Sequence, residues 1–395
     1  MPSAFSNLSV REKITIRVIL HDGNPVSRGR PVGTGESHIP SLDGLRAISI
    51  VLVILGHAMP FGPYSFWVAV PLRHSDLGVR IFFVISGYLI TTLLLNERAQ
   101  FGKISLGLFY IRRALRILPA FFLYAGCVAL LTAIGVITVP ARYWVFALTY
   151  TVNFGQFDAC WVFAHLWSLS VEEQFYLAWP LLMKIANLRT CAWIAVLSIF
   201  ASPVFRAVHQ AGGFELPVHA FPLACGPIAM GCLLALEPDR IRRWMVTSRL
   251  LSDGRIFFIA VLLVAVLDVI PNHFGAPTIF LGIFTNLLMT LCIARLIFIP
   301  RGLAARILNS PPVVMLGKLS YSLYLWQELF LRPENPPIRT PFPVNILLAI
   351  GCASISYWGL ESRFLGLRRK YRRQKVESSP VVEFVEDGTS AAVGR

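Results

Sequence analysis

Residues Ser41 to Met59 read SLDGLRAISIVLVILGHAM, an apolar helix interrupted by an arginine and, further along, a histidine. Arg46 and His57 are separated by eleven helical steps of about 100° and about 1.5 Å, so they share a face about 16 Å apart. A charge near the centre of a bilayer costs at least about 2.5 kcal/mol, so a helix with two ionisable groups on one stripe does not turn that stripe to lipid. The stripe must face protein, water or a substrate.

Composition defines the surroundings of this helix. Hydrophobic residues make up 55% of the 395 and charged residues 14%, and mean hydropathy is +0.64, where an ordinary soluble domain is about 25% charged. The chain reads as an all-α, polytopic membrane protein embedded in a lipid bilayer. The net charge of +15 raises the question of nucleic acid, but the basic residues fall in short clusters between apolar runs, the pattern of cytoplasmic loops rather than of a binding stripe. No nucleic-acid partner is expected. The seven cysteines lie mostly inside apolar runs, with no CxxC or Cys/His pairing, so neither a disulfide framework nor a metal site is indicated.

Residues 1–40 carry Arg11, Lys13, Arg17, Arg28 and Arg30 among Gly, Ser and Pro and have no signal-peptide core. They are expected to be a retained, partly disordered cytoplasmic segment. Apolar runs long enough to cross follow at 45–61, 77–95, 117–139, 166–186, 191–207, 218–236, 255–271, 277–299, 313–331 and 343–360. A shorter run, RYWVFALTYTVNFG at 142–155, falls below the roughly 20 residues a span requires. With ten crossings and this run re-entrant or interfacial, 28 of the 36 Lys and Arg lie on one side, in the N-terminal segment and at 96–116, 184–190, 237–255, 295–318 and 361–375. Counting 142–155 as a crossing would move Lys184, Arg189 and the 237–255 cluster outside, against the positive-inside rule. The expectation is therefore about ten transmembrane helices plus one short helix. Both termini are cytoplasmic, the transmembrane domain covers 41–363, and a basic, disordered tail fills 364–395.

Polar residues within the apolar runs carry the chemistry. Asp43 reads as a helix N-cap with a nearby ion pair to Arg46. Arg46 reads either as a snorkelling anchor or as part of an anion site, and His57 either as a helix–helix hydrogen-bonder or as a proton acceptor above that site. In FYIRRALRILPAFF (109–122), Arg113 and Arg116 share a face, as membrane anchors or as bidentate phosphate ligands. In AHLWSLSVEEQFYLAWPLL (164–182), His165, Ser168 and Glu172 share a stripe and Glu173 lies about a quarter turn off. Two adjacent carboxylates in an apolar span need a neutralising partner, protonation or a water-filled cavity. Arg80, Ser86, Gly87, Asp268, Lys318, Ser320 and Gln327 are lesser features; the small residues most simply permit close helix packing.

Taken together, SLDGLRAISIVLVILGHA, LGVRIFFVISGYLITTLLL, FYIRRALRILPA, HLWSLSVEEQFYLAWPLL and LGKLSYSLYLW, in this order and spacing, resemble acyltransferase family 3. Its members are integral-membrane enzymes of bacteria that O-acylate glycans and related acceptors. The resemblance covers residues 38–370 and implies that Arg46 and His57 are essential, with His57 the general base. It implies that Arg113 and Arg116 are associated with an acyl-CoA donor, and that Glu173, or Glu172 beside it, holds the acidic position of SVEEQFY. No permanently bound cofactor or metal is implied; the donor substrate would be acetyl-CoA or another acyl-CoA. Arg80 replaces an aspartate common in such proteins, and Gln327 a common histidine, so neither carries a catalytic role across. Some relatives carry a C-terminal hydrolase-like domain, for which this chain ends too early.

The resulting expectation is an O-acyltransferase of the bacterial cytoplasmic membrane, moving an acyl group, acetyl first, from acyl-CoA to a hydroxyl of a carbohydrate such as exopolysaccharide or lipopolysaccharide. The alternative is a proton-coupled transporter or flippase in which the buried Arg, His and Glu form a relay. No inverted repeat supports that alternative.

Overall fold

The computed structural model describes residues 40–58, 74–155, 160–210, 212–213, 217, 219–269, 278–331 and 340–371. The expected N-terminal segment, most of the C-terminal tail, and Arg73, Arg332 and Arg339 of the expected opposite loops lie outside the described residues. All regular structure among the described residues is helical. The main helices are α1 (Pro40–Ala58), α2 (Ser75–Phe101), α3 (Leu106–Ala133), α4 (Ala141–Leu148), α5 (Leu166–Ile185), α6 (Leu188–Gln210), α7 (Gly226–Leu236), α8 (Gly254–Val269), α9 (Thr278–Phe298), α10 (Pro311–Trp326) and α11 (Val344–Arg368).

Six of these are long and apolar enough to cross a membrane by length and composition: α1, α2, α3, α6, α9 and α11. The other four expected runs do fold as helices, but α7 has 11 residues and α8 and α10 have 16 each. The fourth, α5, has 20 residues with two carboxylates near its middle. The count of about ten crossings is thus not established by helix length. The 142–155 run forms the eight-residue α4, about 12 Å long, and a 3-10 turn at Val152–Phe154. That turn is tied to α5: Gln174 Nε2 donates to Asn153 Oδ1 at 2.9 Å and Asn153 Nδ2 to Gln174 Oε1 at 3.3 Å. The last helix runs past the expected tail boundary at 364, with a further 3-10 turn to Tyr371.

Large apolar side chains point outward on several helices. Trp193, Leu197, Phe200 and Val204 of α6, Ile259 and Leu262 of α8, and Leu347 and Ile355 of α11 are all exposed. A water-soluble bundle buries such rows; a bundle solvated by hydrocarbon has no reason to. Inside, close helix contacts rest on missing side chains. A Cβ on Gly231 of α7 would lie 2.1 Å from the Val84 carbonyl oxygen of α2, and one on Gly87 of α2 would lie 2.1 Å from that of Ile228 on α7. Gly317 of α10 meets the Asp43 carbonyl of α1 at 1.9 Å in the same construction. Backbones therefore touch directly, and α1, α2, α7 and α10 form the tight centre of the bundle.

Candidate active site

Against this centre, α3 and α5 are held by side-chain bonds rather than by glycine contacts. Trp179 Nε1 of α5 donates to Thr91 Oγ1 of α2 at 2.9 Å, and Tyr321 of α10 donates its hydroxyl to the Ile117 carbonyl of α3 at 2.8 Å. Between α1, α2, α3, α5 and α10 this leaves a cleft lined by apolar and polar side chains. Its walls include Phe82, Phe83, Leu89, Ile90 and Ile117; its polar groups are Arg46, Ser86, Arg113, Arg116, Ser168, Glu172, Tyr176, Ser320, Tyr321 and Tyr324.

Three of the five site residues expected from sequence, Arg46, Arg113 and Arg116, therefore line one cleft although they come from two helices. Arg46 also donates to Asp43 Oδ1 at 3.3 Å. Asp43 itself lies within the first turn of α1, which begins at Pro40, so it is not the N-cap that the sequence suggested. The Arg113 guanidinium sits 3.7 Å above the Tyr176 ring, a cation–π geometry. The Tyr176 hydroxyl donates to Glu172 Oε2 at 3.0 Å and is bonded to the Ser86 hydroxyl. Arg116 feels the charges of Arg46, Arg113 and Arg368. One carboxylate, Glu172, lines the cleft against three guanidiniums, so the cleft presents excess positive charge between apolar walls, where it favours an anion strongly.

The neighbouring Arg112 is excluded from this group. It points to the buried Glu97 (2.9 Å), which also accepts from the Ser105 amide. Adjacent arginines about 100° apart on a helix thus divide between a structural ion pair and the cleft.

The other two expected site residues lie elsewhere. Glu173 is not among the lining residues; its charge bears on Tyr150 and Tyr321 and on Arg113. His57 lies near the far end of α1, with Nδ1 3.7 Å from Glu328 Oε2. Glu328 was missed by the sequence reading although it is a carboxylate inside the 313–331 run, the same signal that marked Glu172. Glu361 was missed too. It sits in a π-helical turn at Tyr357–Glu361, buried, accepting from Ser322 and, at 3.0 Å, from Ser356, and its charge reaches Arg116.

His165, at the bend before α5, is 4% exposed. Its carbonyl accepts from the Tyr324 hydroxyl at 2.6 Å, and that hydroxyl is also bonded to Ser168 at 2.6 Å. Tyr324 and Ser168 line the cleft, so this pair joins the cleft to the region of His165 and His57. Away from the cleft, Arg80 bonds Asp268 and Asn286 Oδ1 (2.8 Å), and His74 Nδ1 meets Asp268 Oδ2 at 2.7 Å. This closed polar knot welds α2, α8 and α9. It gives Arg80 a structural account. Among the described residues there is no group of three or more His, Cys, Asp and Glu that could hold a metal ion.

A family model described as an acyltransferase domain, that of acyltransferase family 3, matches residues 39–359. The chain belongs to acyltransferase family 3. Curated relatives include "Putative O-acetyltransferase SACOL0978" of Staphylococcus aureus strain COL, 29% identical over 364 residues, covering 83% of this chain and 57% of the relative. "O-acetyltransferase OatA" of Staphylococcus aureus strain NCTC 8325 / PS 47 is 29% identical over 359 residues, covering 82% of this chain and 57% of the relative. The chain therefore spans less than three-fifths of the length of these relatives. No solved structure matches. Membership of acyltransferase family 3, with six helices long and apolar enough to cross, makes the chain a multi-pass membrane protein of that family.

Proposed function

We propose that the chain is an O-acetyltransferase that takes an acyl group from acyl-CoA and gives it to a hydroxyl of a carbohydrate. The observation that carries this reading is the meeting of Arg46, Arg113 and Arg116 in one cleft with apolar walls. Guanidinium forks bind phosphate oxygens bidentately, and the apolar walls suit the arm of the donor. The names of the curated relatives favour acetyl as the group and oxygen as the acceptor atom.

In this mechanism the CoA phosphates bind Arg113 and Arg116, Arg46 completes the positive field, and Glu172 with Tyr176 fixes the Arg113 plane. Glu173 shares that role from the adjoining face of α5. The arm runs along the cleft toward Ser168 and Tyr324, carrying the thioester toward His57. His57 removes the proton of the acceptor hydroxyl while the Glu328 carboxylate, 3.7 Å from Nδ1, stabilises the imidazolium by its charge. The hydroxyl oxygen bonds to the thioester carbonyl carbon, the carbon–sulfur bond breaks, and the CoA thiolate leaves and takes the proton from His57. No covalent acyl-enzyme is needed. The same proposal places ten crossings in the bacterial cytoplasmic membrane with both termini in the cytoplasm, a transmembrane domain over 41–363, and flanking segments at 1–40 and 364–395.

The test is transfer from labelled acetyl-CoA to crude bacterial glycans by membranes holding the wild-type chain, His57→Ala or Arg113→Ala. Label on glycan with the wild type alone is the expected result. Equal transfer from all three removes both residues from the reaction, and transport without consumption of acetyl-CoA would replace the enzyme by a carrier.

A further inference from the structure

Ten buried side-chain nitrogen and oxygen atoms have no hydrogen-bond partner among the described residues. Six of them belong to His57 (Nδ1), His165 (Nδ1 and Nε2), Trp326 (Nε1) and Gln327 (Nε2 and Oε1). These four residues are neighbours. The Tyr124 ring lies 5.5 Å from His165 and 5.7 Å from Trp326. His57 faces Glu328, the residue that follows Gln327, and its charge reaches His165. Gln327 is fully buried, His165 is 4% exposed and Trp326 7%. Each buried polar atom left unsatisfied costs about 1–3 kcal/mol, so six of them gathered in one place call for a partner.

The atoms fit one ligand chemistry. The indole N–H only donates, the amide both donates and accepts, and a neutral imidazole does both. An anion would use the donors and leave the Gln327 oxygen and one nitrogen of His165 bare; an acyl chain would use none. A molecule with several hydroxyls satisfies all six, because each hydroxyl gives one hydrogen and accepts two. The cluster also lies on the far side of the Ser168–Tyr324 pair from the arginines, at the end of α1 that carries His57.

We propose that His165, Trp326 and Gln327 form the acceptor subsite, which holds the hydroxyls of a carbohydrate beside His57 and Glu328. This rests on the acyltransferase reading above and adds where, and by which groups, the acceptor is recognised. Position 327 would then set acceptor specificity: its amide holds a neighbouring hydroxyl of the sugar and takes no proton.

The test uses the full chain in detergent micelles, with acetyl-CoA as donor and an oligosaccharide pool from hydrolysed bacterial exopolysaccharide as acceptor. Three quantities are read for wild type, Gln327→Met and Gln327→Glu: thermal midpoint, acetyl-CoA affinity and acceptor KM. Gln327→Met is expected to match or exceed the wild-type midpoint, because it removes two unsatisfied atoms at similar volume. It is expected to keep acetyl-CoA affinity and to raise acceptor KM at least tenfold, with Gln327→Glu, which keeps acceptors, falling between. A midpoint that drops by several degrees shows Gln327 bonded within the protein and overturns the proposal, as does an unchanged acceptor KM. Wild-type chain that binds acetyl-CoA and acylates no oligosaccharide overturns the acceptor class. Wild-type chain that binds no acetyl-CoA overturns the donor cleft instead, while the midpoint comparison still decides whether Gln327 is satisfied internally.

Discussion

Arg113→Lys keeps the charge in the cleft and removes the plane. In the structure that plane stacks 3.7 Å over Tyr176, whose hydroxyl is committed to Glu172 and Ser86. Lysine loses part of the stacking, worth about 1 kcal/mol in such partly desolvated pairs, and one of the two parallel bonds that a guanidinium makes to a phosphate, worth about 1.5–2 kcal/mol with a charged partner. Part of each loss is recovered by the remaining ammonium, so the net change is about 1–2 kcal/mol in donor binding. That corresponds to a rise of about 5- to 30-fold in the KM for acetyl-CoA. Because the proposal places this group on the phosphates and not on the reacting carbon, kcat should fall less than about fivefold. Initial rates at saturating acceptor over a range of acetyl-CoA, in purified chain, separate the two constants. A fall in kcat with an unchanged donor KM refutes the assignment of Arg113 to the donor phosphates. A lowered thermal midpoint with both constants intact refutes it differently, by making the stack on Tyr176 purely structural.

Gly231→Ala places a methyl group 2.1 Å from the Val84 carbonyl oxygen and must push α7 from α2, at a cost of about 1–3 kcal/mol; Gly126→Ala on α3 meets nothing within 4 Å and should be neutral or stabilising in the same detergent melt. Asp268→Asn breaks the knot with Arg80 and His74, and removing one partner of a buried pair should cost about 3–5 kcal/mol. Near-normal stability of that variant would show that the knot is hydrated. Glu361→Leu strands the Ser322 and Ser356 hydroxyls and should destabilise by about 2–4 kcal/mol, while Glu361→Gln, which still accepts, should lose less than half as much by chemical denaturation.

The sequence made the helices and the arginines legible because a charge inside an apolar run is costly wherever the chain places it. Arg46, Arg113 and Arg116 could be singled out for that reason, and they line one cleft. The choice between Glu172 and Glu173 is subtler. Helical phase put Glu172 on the stripe of Ser168, and the cleft is lined by Glu172 and Ser168, whereas the resemblance pointed first to Glu173. Phase carries over because α5 is a continuous helix; a motif position carries no information on which of two adjacent side chains turns inward. Glu361 was hidden for the opposite reason. It sits in a π turn, where an extra residue per turn shifts the face and defeats counting by 3.6. The number of crossings was least legible, since hydropathy runs continue across breaks such as that between Ala224 and Gly226 and so look longer than the helices they contain.

The transporter reading required the buried charges to form a relay that moves protons along the bundle. Arg112 is fixed on Glu97, and Arg80 on Asp268 with Asn286. Both arginines are held in ion pairs, so neither is free to serve as a station of a relay. Arg113 and Arg116 stand together in the cleft, and a relay needs titratable groups in series whereas a phosphate site needs permanent charges side by side. The titratable residues, His57 with Glu328 and His165, lie apart at the other end of α1. Cations at one end and titratable groups about 16 Å away are the division that the proposed group transfer requires: one end would hold the donor's phosphates while the other would activate a hydroxyl. That division, more than any single residue, is why the enzyme reading accounts for the cleft arginines and the His57 region together, which the carrier reading does not.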